Sequence, residues 1–307
     1  LFASPATTCG AAANAMKGTV PLTLCGLAVA IGFRAGVFNL GAEGQLVAGA
    51  VAATAVGVKA PLGGPLLLPA ELVAAMLAGA AWSALAAWLK RSRGVPEVLA
   101  TILLNFVAIQ VGRCLIDYGN PLNVVAHDYL WSDPVRPEGE LTPLVLGRLE
   151  VPKAIFIAAA LALALDWALF RTRPGLELRL AGASPGVARA QGFSPARAVW
   201  TAFLGGGALA GLAGALVVVG VTRRFTWSFA EGSGYTAVAV ALVAGLRPAP
   251  VLLAAVAFAA LETGAGAAQR QHGVPRATAF ALEGLVILAV LAQRALRDRA
   301  AAKVVAA

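Results

Sequence analysis

Between two apolar runs, residues 38–45 read FNLGAEGQ, setting Asn39, Glu43 and Gln45 among Gly41 and Gly44. Polar side chains at membrane depth are costly, so such a cluster either pairs internally or meets something wet. Amide and carboxylate groups here can hydrogen-bond a polar solute, and the glycines let a helix break or a backbone approach closely. The alternative is a helix–helix hydrogen-bond network, at under ~1 kcal/mol per pair on average. The residues alone do not choose between the two. A second polar line runs through Glu97, Thr101 and Asn105, spaced by four and therefore on one helix face. Glu97 stands near a helix end, where pairing with Arg93 accounts for it. Asn105 lies deeper and is the better pathway candidate.

Covalent chemistry finds little support. The spans hold no HExxH and no paired Asp or His, so no catalytic residue is expected. Cys9, Cys25 and Cys114 lack CxxC spacing, and His127 and His272 stand alone, so no metal is implied. The sequence also lacks GxxxxGK[ST]. If ATP drives this protein, another polypeptide binds it.

The elements that must position these residues are set by the solvent. Hydrophobic residues make up 59% of 307 and charged residues 13%; a soluble domain carries about 25% charged residues. Lipid is the covering that such a surface fits, which makes the fold an all-α polytopic bundle. The net charge of +9 does not indicate nucleic acid, because the basic residues fall in short clusters between apolar runs.

Apolar runs bounded by charge, Gly and Pro give nine segments: 18–33, 36–58, 64–89, 95–116, 153–170, 198–220, 235–246, 249–268 and 280–295. Allowing for uncertain ends, 8–10 membrane segments are expected. The first and seventh are short for a span of ~20 residues, as broken helices beside a cavity are. Residues 1–17 lack the plan of a signal peptide and are expected to be a remnant, preceded by one further helix. Residues 18–295 form the membrane domain and 296–307 a tail.

The loops orient the spans. Residues 171–197 hold five arginines against one glutamate, and Lys90, Arg91 and Arg93 mark another basic turn. The tail adds Arg294, Arg297, Arg299 and Lys303 against Asp298, whereas 117–150 carries six carboxylates against two arginines. Lys and Arg excess stays in the cytoplasm, so the basic regions and the C-terminus are expected inside and 117–150 outside. The number of spans between these regions agrees. The outer loop reads equally as a docking surface or as a solvated connector. In residues 205–220, GGGALAGLAGALVVVG, Gly207, Gly211 and Gly214 form a small-residue face for helix packing. The loop 171–197, punctuated by Pro174-Gly175 and Ser184-Pro185-Gly186 with a short amphipathic stretch at 187–192, is a natural handle for a motor subunit.

Four stretches in order resemble the permeases of nucleoside and simple-sugar ABC transporters: CGLAVAIGFRAGVFNLGAEGQ at 25–45, PEVLATILLNFVA at 96–108, RTRPGLELRLAGASPGVARAQGFSPAR at 171–197 and GYTAVAVALVAGLRPAP ending at Pro250. The resemblance covers about 20–295. It implies an all-helical permease of the group shared with branched-chain amino acid and ribose permeases. It also implies a second permease subunit, expected to differ from this one, a cytoplasmic ATPase that uses the ATP, and an external substrate-binding lipoprotein. No cofactor is expected in this chain. Asn39, Glu43 and Gln45 map to the translocation pathway and Leu180–Phe193 to the coupling element. Arg179, Gly182, Ser184, Pro185, Arg189 and Gly192 are then the coupling residues. Departures from the pattern are Leu40 for Ile, Leu103-Leu104 for Met-Leu, Ser184-Pro185 for Asn-Pro, and Arg189 at a usually small position; the last bears on the docking contacts. The expected function is uptake of a nucleoside or related sugar across the inner membrane by alternating access. A branched-chain amino acid or other sugar permease on the same scaffold is the first alternative. An ion-coupled carrier using Glu43 or Glu262 is the second.

Overall fold

The computed structural model describes residues 9–117, 121–122, 130–147, 149–226, 229, 232–272, 281, 284–285 and 288–289. Eight of the nine expected segments correspond to helices within them. These are α1 (Cys9–Arg34), α2 (Ala42–Lys59), α3 (Leu67–Arg93), α4 (Glu97–Ile116), α5 (Ala154–Arg171), α8 (Pro195–Val217), α9 (Ser233–Val243) and α10 (Pro248–His272). Between α5 and α8 lie α6 (Arg173–Ala183) and α7 (Pro185–Ala190). The segment 280–295 falls largely, and the tail 296–307 wholly, outside the described residues. By length and composition, α1, α3, α4, α5, α8 and α10 can each cross a membrane.

Where the sequence predicts a short first segment, α1 runs for 26 residues from Cys9. Lys17 bounds the apolar run without ending the helix. Ala11–Ala13, Ala15 and Met16 are strong helix formers, and the Lys17 ammonium reaches the Glu150 carboxylate at 3.6 Å. The seventh segment is short, with 11 residues in α9.

The bundle is built around α1 and α8. From Thr19 to Gly32, α1 is buried on every side, packed by α8, α9, α10 and α5. Thr19 and Thr23 satisfy their hydroxyls within the helix, donating to Ala15 O and Thr19 O at 2.8 Å. On α8, the stripe Gly207, Gly211 and Gly214 sits where α2 and α3 cross it. A Cβ on Gly211 would overlap Ala75 O, one on Gly207 would overlap Gly79 O, and one on Gly214 would meet Ala50 N at 2.7 Å. Missing side chains thus allow backbone-to-backbone packing that lipid does not drive. The outer faces are apolar: Leu77 and Trp88 on α3, Leu103 and Phe106 on α4, Leu163 and Trp167 on α5 and Leu253 on α10 are exposed.

The two long loops lie at opposite ends. At one end α6 presses Gly182 onto the turn after α1, and the Arg34 guanidinium donates to Gly245 O and Leu246 O beyond α9, both at 3.0 Å. At the other, Arg136 closes the end of α2, donating to Gly57 O and Ala60 O at 3.1 and 2.6 Å. Residues 130–147 and 149–151 there form a cover. Ser132 and Val135 donate to Phe225 O and Arg223 O, and a hairpin pairs β1 (Leu144–Leu146) with β2 (Leu149–Val151). The cover is stitched to the end of α2 and to the chain after α8.

Candidate functional site: a polar lattice joining two broken helices

After α1 the chain reverses at Gly36, whose φ of +72° favours glycine. Residues 37–41 then stay non-helical before α2 begins at Ala42. The freed backbone groups are taken up locally and by α4. Asn39 Oδ1 accepts Gly41 N–H at 2.9 Å and is bridged by Gln45 Nε2 at 3.1 Å. Thr101 Oγ1 accepts Leu40 N–H at 3.3 Å, and Asn105 Nδ2 donates to Leu40 O at 2.9 Å. Asn105 Oδ1 also accepts Gly44 N–H at 2.9 Å, and its amide reaches the Tyr235 hydroxyl at 3.1 Å. The four-residue spacing of Thr101 and Asn105 lets α4 grip both backbone groups of Leu40.

The second break meets the first at Glu43. Beyond α8 the helix widens into a π-turn (Val218–Thr222), and the chain then runs to α9, whose N-terminus starts inside the bundle. Both Glu43 oxygens are held there: Oε1 by Gly232 N–H at 2.9 Å and Oε2 by Gly234 N–H at 2.6 Å. A carboxylate suits a helix N-terminus, where unpaired N–H groups and the aligned dipole favour negative charge. Gly234 has to be glycine, since a Cβ would lie 2.6 Å from the Glu43 Cα. The N-termini of α2 and α9 therefore share one carboxyl group.

The structure brings Asn39, Glu43, Gln45 and Asn105 into one lattice. Each is at most 2% exposed, and each is bonded to protein. Exposure at its edge belongs to aromatic rings, with Phe38 at 54% and Tyr235 at 42%. Glu97 lies at the lattice edge, facing the Phe38 N–H, and its ion pair is with Lys90 at 2.9 Å in place of the expected Arg93. Gly94, with φ +65°, reverses the chain there and brings the last turn of α3 over the start of α4. Tyr235, Gly232 and Gly234 escaped the sequence reading; an 11-residue helix opening on Gly-Ser-Gly was the available signal.

The coupling residues divide. Thr172, Ser184 and Ser194 cap α6, α7 and α8, each with a proline at the first or second helical position. Residues 182–186, GASPG, have the spacing of a nucleophile elbow. The Ser184 hydroxyl is instead engaged by Val187 N–H at 3.4 Å, and it links two helices. Pro185, Arg189 and Gly192 are exposed, with Ala188 buried beneath them. Gly182 faces inward: a Cβ there would lie 2.7 Å from Gly36 N. Arg179 also turns inward, its guanidinium 4.9 Å from the Phe170 ring centroid. The exposed end of the loop and the polar lattice are therefore linked through one close backbone crossing.

The chain matches the family described as "Branched-chain amino acid transport system / permease component" over residues 12–291. It is 37% identical to the glucose ABC transporter permease protein TsgB13 of Haloferax volcanii, over 88% of this chain and 73% of that one. It is 31% identical to the guanosine ABC transporter permease protein NupP of Bacillus subtilis, over 92% and 81%. It is 27% identical to the nucleoside ABC transporter permease protein NupB of Lactococcus lactis, over 80% and 69%. No solved structure matches it at a significant level. Along nearly its whole length the chain follows this one pattern of apolar helices and interrupted spans, and it belongs to that family of membrane permease components.

Proposed function

We propose that this chain is one of two permease subunits of an ATP-binding-cassette importer in the cytoplasmic membrane, moving a nucleoside or a related sugar. The observation that carries the reading is the Gly182–Gly36 crossing. It joins a capped, outward-facing helix (α7) to the turn that leads into the polar lattice. A cytoplasmic ATPase closing on α7 would push α6, and α6 bears on the end of α1 and the opening residues of α2. The arginine-rich turns belong on the ATP side by the positive-inside rule, which puts the cover outside. There it would receive the substrate-binding lipoprotein, and its exposed Leu144, Val145 and Leu146 suit a docking surface.

In this reading Asn39, Glu43, Gln45 and Asn105 belong to the pathway as its framework. They fix the wall while Phe38 and Tyr235 present ring faces suited to a base or a sugar. The chain does no covalent chemistry, and ATP is hydrolysed by the partner. The second permease subunit is expected to be a different chain, since Bacillus subtilis has two guanosine permease proteins, NupP and NupQ, that are both similar to this one. A hexose is the second reading, favoured by the 37% identity to a glucose permease. Competition settles the choice. In cells carrying the complete importer, unlabelled nucleosides should suppress labelled nucleoside uptake while glucose and leucine do not. Suppression by glucose alone would assign the hexose.

A further inference from the structure

We propose that Arg34, Arg179 and Arg247, gathered around Phe170, form a binding site for a phosphate-bearing anion, supplied by the headgroup of an anionic phospholipid. Their guanidinium carbons lie 5.5, 4.9 and 5.2 Å from the Phe170 ring centroid. The four residues come from the end of α1, from α6, from the turn between α9 and α10, and from the end of α5. No local spacing announces them.

The cluster is short of negative charge. None of the three arginines forms an ion pair with a carboxylate among the described residues. Arg34 uses Nε and one terminal nitrogen on the carbonyls of Leu246 and Gly245. Arg179 Nε is buried and has no hydrogen-bond partner. Arg247 is exposed. Of the neighbouring acids, Asp166, one turn before Phe170, accepts Ala249 N–H at 3.3 Å. Glu177 lines the cleft on the α8 side of α6, with Arg197. An aromatic face attracts cations but carries no formal charge, so three of them around one ring remain uncompensated.

Phosphate oxygens suit this arrangement, since guanidinium forks donate paired hydrogen bonds to them. The site's place names the source. It lies at the bundle end that holds the basic turns, beside the exposed Trp167 of α5, the residue type that settles at headgroup level. The placement in the inner leaflet rests on the proposed orientation; the binding itself does not. A bound phosphodiester would tie α6 to the end of α1 and to the α9–α10 turn, and so fix the strut between α7 and the lattice.

The test uses the full chain, purified in micelles doped with labelled phosphatidylglycerol or phosphatidylcholine, with or without partner subunits. Wild type should retain phosphatidylglycerol selectively. Arg247→Gln, at an exposed position, and the pair Arg179→Gln with Arg247→Gln should lower that retention, the pair by about tenfold or more. Arg91→Gln with Arg197→Gln should leave it unchanged, with size-exclusion profiles confirming that every variant is folded. Displacement of the lipid by inorganic phosphate would support the anion site and add a free phosphate as a source. Persistence of the lipid against inorganic phosphate would support the headgroup as the only source. Equal retention of the two lipids, or of phosphatidylglycerol by wild type and cluster variants, would overturn the proposal. Uptake that fails for want of the proposed partners leaves this retention unaffected, so the two readings fail separately.

Discussion

At the residue scale, the framework role proposed for Glu43 and Asn105 differs from a solute contact, and substitution separates the two. Glu43→Gln keeps the shape but turns an amide NH2 toward one of the two glycine N–H groups. Leaving a buried donor unmatched costs about 1–3 kcal/mol, so the thermal midpoint should fall clearly and transport should lose maximal rate with KM little changed. A residue that only touched solute would show the reverse, a raised KM at unchanged stability. Asn105→Ala removes three bonds at about 0.6 kcal/mol each and should cost about 2 kcal/mol. Thr101→Val, losing a single long bond across helices, should cost less. Unfolding of both variants in one detergent checks the order. The sequence marked FNLGAEGQ and Asn105 as a site because charge and amide at membrane depth are conspicuous. It did not show that their partners are Gly232 and Gly234, about 190 positions away, because such a pairing depends on where a broken helix starts. The ring of Arg34, Arg179 and Arg247 was illegible for the same reason.

At the scale of elements, the helices were legible wherever length and apolarity speak together, and their ends were less so. Lys17 looked like a boundary and lies inside α1, since one charge at the bundle end can reach Glu150. The Gly207, Gly211 and Gly214 spacing announced a packing face, and the crossing with α2 and α3 gives it a partner. Gly211→Val should abolish stable expression, because the displaced atoms are the backbone of another helix. Gly205→Ala, with nothing within 4 Å, should be neutral or stabilise by up to ~1 kcal/mol through helix propensity. Comparing the yield of folded protein for the two variants is enough. The strut makes a sharper demand. Gly182→Val should separate α6 from Gly36, leaving the ATPase bound yet lowering uptake by about tenfold or more, as the loss of a coupling free energy of 1–3 kcal/mol would. ATPase co-purification beside uptake reads both halves of that outcome.

At the scale of the whole molecule, direction is decisive: in the proposed arrangement α6 and α7 face the ATPase and the cover faces the opposite compartment. The sequence reached this through arginine counts, and the fold agrees in setting the two loops at opposite ends, which fixes their separation and leaves the side open. Cysteine labelling decides it. With Cys9 and Cys114 replaced by serine, Val187→Cys on the exposed face of α7 and Val145→Cys on the hairpin should behave oppositely in intact cells. A membrane-impermeant maleimide should modify position 145 at once and position 187 only after permeabilisation, and position 187 should then cross-link to the ATPase. Labelling of position 187 in intact cells, or of both positions from the same side, would contradict the account.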